Sequence, residues 1–135
     1  MPRPPAPFAL PLRPVSRLLI LPKFTEAEDH RFEEGDHRSR NRLFKPENFQ
    51  RVPRALSKLR PLAEEKRASL GQLALAWIIS HAGVCAIAGA RNTDQAVENA
   101  GAANISLSDD DLTRLDEIGR LVTDYLDDDP VMWDF

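Results

Sequence analysis

Apolar positions fall into four blocks along this chain, and three of them keep helical spacing. Phe49, Val52, Leu56, Leu59 and Ala63 recur every three or four residues, which predicts a helix with one apolar stripe. Pro53 and Pro61 interrupt that block. Each is expected to begin or kink a helix, because an interior proline costs about 3 kcal/mol. Leu70, Leu73, Ala74, Trp77 and Ile78 line the face of a second helix, and Ser69 with Gln72 has the spacing of a capping box at its start. Leu112, Leu115 and Ile118 form the inner face of a third, behind Ser108 and Asp111. The fourth block, Val84–Ala88, is a continuous apolar run of strand length. A glycine turn follows it, and Asn92 with Gln95 marks the opening of one more helix.

The rest of the chain carries weaker patterns. Leu18–Leu21 has the composition of a second strand. It lies in a Pro- and Arg-rich stretch, Met1–Pro22, that has no acidic residue. Lack of acid is one property of transit peptides, but serine enrichment and helical amphipathicity are missing, and the prolines break helices. Residues 1–22 therefore read as a divergent leader without regular structure. From Thr25 to Asn41 charges of both signs alternate without period, as in a surface loop. Asp29, His30, Asp36 and His37 lie there at spacings that fit no standard metal site. Residues 120–135 form an acidic tail containing Asp124, Asp127–Asp129, Trp133 and Phe135.

Composition narrows the classes. With 135 residues and a net charge of -3, the chain is sized for one domain and has no basic footprint for nucleic acid. No run of about 20 apolar residues is present, so no membrane span is expected. The one cysteine cannot form an internal disulfide, which points to a reducing compartment and a cytoplasmic protein. Cys85 falls inside the apolar run and reads as a buried core thiol. His81 closes the second helix, where a cation suits the dipole, and Asp109–Asp111 suit the start of the last helix. Neither group reads as a metal site.

The turn Gly89-Ala90-Arg91-Asn92 carries the chemistry. An arginine there offers a bidentate fork for a phosphate, and the helix start offers free N–H groups and the positive end of the dipole. Gln95 and Asn99 stand at i and i+4, on one helix face, where their amides can hydrogen-bond a heteroaromatic edge. Each residue also has a plainer reading. Arg91 could be a solvated or structural arginine, Gln95 could cap the helix, and Asn99 could be an ordinary exposed helix residue.

Taken in order, Ser69–Ile78, Val84–Asn99 and Gly101–Leu112 resemble the C-terminal end of an aldo-keto reductase. Phe32–Arg38 and Phe44–Phe49 resemble the long loop ahead of the penultimate helix in one branch of that family. The resemblance spans about residues 23–119. It implies an α/β fold, a partial TIM (β/α)8 barrel, mostly helical with one or two strands. It implies NADPH-dependent reduction of aldehydes and ketones to alcohols. Gly89, Ala90, Arg91, Asn92, Gln95 and Asn99 then fall on the site for the adenosine 2'-phosphate of NADP. The family's catalytic Tyr, Lys, Asp and His lie in the earlier part of the barrel, so none is carried over. Tyr125, the only tyrosine, sits in the acidic tail without a matching motif. A barrel of this type takes about 250 residues. The chain alone is therefore expected to be inactive, to bind NADPH and a small carbonyl substrate only within a completed barrel, and to self-associate through uncovered helix faces. The competing expectation is a truncated or remnant product without catalysis, acting through protein contacts. Where the family usually has a glycine, Arg67 is expected to strain the left-handed end of its helix by about 1 kcal/mol.

Overall fold

The computed structural model describes residues 50–125, with Gly35, Arg40, Lys45 and Pro46 described singly ahead of them. The expected strand at Leu18–Leu21, the loop histidines, Phe49 and the tail beyond Tyr125 lie outside the described residues.

Four helices follow in order: α1 (Arg51–Glu65), α2 (Leu70–Ile79), α3 (Thr93–Gly101) and α4 (Asp109–Thr123), with a 3-10 turn, Ala102–Asn104, directly after α3. Helix α1 packs on α4 and α2, while α2 also touches α3 and the 3-10 turn. The stripe read from the sequence becomes the buried face of α1: Val52, Leu56, Leu59 and Ala63, joined by Ala55 and Leu62. Neither proline breaks α1. Pro53 sits in the first turn, where its missing N–H has no intrahelical partner to lose. Pro61 is interior and exposed, so the Ser57 carbonyl it leaves unpaired lies on the solvent side.

Helix α2 is the centre of the molecule. Six consecutive residues, Leu73–Ile78, are buried, more than the single face its spacing predicts, because neighbours cover it on several sides. In α4, Leu115 and Val122 are fully buried, while Leu112 and Ile118 are half-buried at the edge of the same cluster. Leu62, Leu73, Leu115 and Val122 are the largest fully buried side chains, so three helices meet at one core.

Polar bonds orient the helices on that core. The indole N–H of Trp77 donates to an Asp116 carboxylate oxygen at 2.9 Å, tying α2 to α4. His81 Nδ1 lies 2.8 Å from the Trp77 carbonyl, which can only accept, so that nitrogen carries the proton. The start of α4 is locked to the end of α1. Asp111 is buried and pairs with Lys66 Nζ at 2.6 Å. The Lys66 ammonium and the hydrogen bonds from Ser108 hold its carboxyl below the usual carboxylate range, against the opposing effect of burial.

The apolar run after α2 departs from expectation. Val84–Ala90 is not a β-strand, because no other segment among the described residues pairs with its backbone. It keeps a period of two nonetheless. Val84 and Ala86 are half-buried against the core, while Cys85 and Ile87 face outward. Cys85 is therefore exposed, not a core thiol. The run is entered through a turn closed by the Val84 N–H on the His81 carbonyl, with Gly83 at φ +77, a value that favours glycine.

Candidate functional site

The three helix starts form as their residues dictate. Ser69 and Gln72 make a reciprocal capping box on α2, and Ser108 and Asp111 make another on α4. Asn92 caps α3 by accepting the Gln95 N–H at 2.9 Å. Asp94 adds a carboxylate to that first turn.

Around this third start the structure gathers the sequence-singled residues. Gly89, Ala90, Arg91 and Asn92 form an exposed turn, and Gln95 and Asn99 are half-buried on the helix behind it. The side-chain oxygen of Gln95 accepts the Arg91 N–H at 2.8 Å. Asn99 Nδ2 donates to the Gly89 carbonyl at 3.2 Å. Both amides, read from the sequence as groups for a ligand's edge, thus spend one atom each on the turn itself. The N–H groups of Thr93 and Asp94 open the helix without an intrahelical acceptor, as in any first turn. Arg91 is exposed and forms no ion pair among the described residues, so its guanidinium is available to an anion.

Glu98 was not singled out from the sequence, yet it fastens this site to the core. Its carboxylate accepts from Ser69 Oγ at 2.7 Å, and its carbonyl accepts from the Gln72 side chain at 2.8 Å. The capping box of α2 therefore also holds α3. A signal existed, since Glu98 is neighbour to Asn99, but its partners lie in a different helix. Gly101 makes this possible. A Cβ there would stand 2.8 Å from Gln72 Nε2.

Among the described residues, no group of three or more His, Cys, Asp and Glu side chains could hold a metal ion. No described helix is long and apolar enough to cross a membrane. Tyr125 is exposed, and the Arg51 guanidinium lies 3.7 Å from the centre of its ring.

The chain matches the model of the aldo/keto reductase family over residues 10–120. It is 45% identical over 74 residues to an uncharacterized oxidoreductase of Mycobacterium bovis, covering 55% of this chain and 23% of that protein. It is 35% identical over 87 residues to the NADH-specific methylglyoxal reductase of Escherichia coli, covering 64% of this chain and 27% of that protein. It is 29% identical over 97 residues to an aldo-keto reductase of Schizosaccharomyces pombe whose name specifies NADP(+), covering 71% and 28%. The chain belongs to the aldo/keto reductase family, whose fold is the (β/α)8 barrel. It spans about a quarter of the length of these relatives.

Proposed function

We propose that this chain forms the adenosine-binding end of an NADPH-dependent aldo-keto reductase, a cytoplasmic enzyme that reduces aldehydes and ketones to alcohols. The observation that carries the reading is Arg91, exposed and without an ion pair among the described residues, in a turn that opens helix α3. Its fork and the first N–H groups of α3 together suit the two negative charges of a 2'-phosphate. Open space lies beside Gly89, where a Cβ would meet nothing within 4 Å, so a ligand can reach this backbone. Gly89, Ala90, Arg91 and Asn92 would hold the phosphate, with Gln95 and Asn99 behind them. Bound NADPH would supply the hydride. This chain's residues fix the far end of the cofactor, and the family's Tyr, Lys, Asp and His act on the carbonyl from the earlier part of the barrel.

One relative is named as NADH-specific and another with NADP(+), so the reading must be tested by cofactor preference. In a barrel completed with a relative's earlier strands and helices, Arg91→Ala should weaken NADPH by about 2 kcal/mol, within the range for hydrogen bonds to charged groups. NADH binding should stay nearly unchanged. Equal losses for the two cofactors in titration would overturn the assignment.

A further inference from the structure

We infer that a basic stripe on helix α1, made of Arg51, Arg54 and Lys58, is the docking surface for this chain's own acidic stretch Asp127–Asp129, which straps α1 to α4. This contact stands apart from the phosphate site. Three and four residues separate the cations, so they share one helix face. From Arg51 to Arg60 the helix carries four cations and no acid. Arg54 and Lys58 stand at i and i+4, where like charges repel each other. Both are exposed, and neither forms an ion pair among the described residues. Glu65 shares their face further along α1, but it turns to Arg114 of α4, 3.8 Å away. The stripe therefore runs beside α4 and lacks an anion over its first half.

Tyr125 brings the acidic stretch to the head of this stripe. Helices α1 and α4 run antiparallel. Lys66, just past the end of α1, pairs with Asp111 near the start of α4. At the other end the Arg51 guanidinium lies 3.7 Å from the centre of the Tyr125 ring, just past α4. Lys58 stands about 10 Å along α1 from Arg51, at about 1.5 Å per residue. Asp127–Asp129 follow Tyr125 by two to four residues, which reach about 7–14 Å when extended. Laid back along α1 from Tyr125, the three carboxylates come level with Arg54 and Lys58. Three consecutive acids thus match the cations in sign, in number and in reach.

The test is zero-length carbodiimide coupling on the full chain, which joins a lysine amine to a carboxylate by an amide, with the linked peptides read by mass spectrometry. Lys58 should couple to Asp127, Asp128 or Asp129 within one chain. The yield should fall severalfold from about 0.1 M to about 1 M salt, as the screening length shrinks from about 10 Å to about 3 Å. Arg54→Glu should lower it about two- to fivefold, the worth of one exposed ion pair. Lys58→Asp should abolish the link, and Lys58→Asp combined with Asp128→Lys should restore one between the same two positions, which a merely misfolded chain would not do. No link at Lys58, or one only to the acids between Glu26 and Glu47, would overturn the inference. A link found only in a covalent dimer would assign the stripe to a second copy instead. A yield unmoved by salt and by Arg54→Glu would show proximity without attraction, and the docking surface would fall.

Discussion

Arg67 is a non-glycine residue in the left-handed region, at φ +52, and it ends α1. Its backbone N–H donates to the Glu64 carbonyl at 3.0 Å, and that of Ala68 donates to the Ala63 carbonyl at 2.9 Å. Those two bonds are the Schellman closure, in which the residue after the cap turns left-handed so that the last carbonyls find donors. Any residue with a Cβ is strained there by about 1–2 kcal/mol. Arg67→Gly removes the strain, loses a weak cation–dipole contact of about 0.3–1 kcal/mol, and loosens the unfolded chain. The net expected gain is about 1 kcal/mol. For a domain of about 60–100 residues that corresponds to a rise of roughly 4–8 °C in Tm. The assay is thermal and chemical unfolding of three variants side by side. Arg67→Ala keeps the Cβ and should be no more stable than the parent. Arg67→Asn should lie between, since asparagine tolerates this conformation. If Arg67→Gly and Arg67→Ala unfold at the same temperature, backbone strain is not what distinguishes this helix end.

Two further changes test the joints between helices. Asp111→Asn should cost about 2 kcal/mol at neutral pH, measured by chemical denaturation, because it breaks the bond to Lys66 and leaves the ammonium unpaired. The folded carboxyl titrates below its ordinary value near 3.8, so its contribution is complete above about pH 5 and is lost as the pH falls through and below 4. The parent and variant should therefore converge in acid, and a constant gap down to about pH 2 would contradict the linkage. Gly101→Ala should lower stability by about 1 kcal/mol, since its Cβ displaces a Gln72 amide already bonded at Glu98 and Ser69. In a Gln72→Ala background the same change should turn favourable by a few tenths of a kcal/mol, roughly the helix preference of alanine near a helix end.

What the sequence discloses here is what neighbours in sequence decide. The capping boxes at Ser69 and Ser108 and the Asn92 cap use partners three residues away, so their spacing alone locates three helix starts. The stripe of α1 is similarly local. The strand reading of Val84–Ala88 fails on a partner, because a strand exists only beside another, and the exposure of Cys85 follows from the same gap. Pro61 misleads because the cost of an interior proline depends on whether the freed carbonyl meets solvent, which the residue order does not reveal. The Lys66–Asp111 pair and the Trp77–Asp116 bond join residues far apart in sequence. Only their residue types hinted at them, since a buried indole N–H needs an acceptor.

The candidate site was legible in its members but not in its mechanics. Gly89, Arg91, Asn92, Gln95 and Asn99 do lie together, yet the sequence pattern presents the two amides as ligand groups, and the fold uses an atom of each to build the turn. The same division runs through α3 as a whole. It buries no residue, so apolar packing cannot hold it. Its hold on the core passes through Glu98, by the Ser69 hydroxyl and the Gln72 amide, both also engaged in capping α2, and through the buried Ala102 of the 3-10 turn that follows it. A helix fixed by a few partly exposed hydrogen bonds opens more readily than one seated in a core. The α1–α2–α4 cluster is thus the rigid body, and α3 with its turn is a polar attachment to it. If the turn holds the phosphate as proposed, this arrangement would let the core keep its packing while the turn binds and releases the ligand.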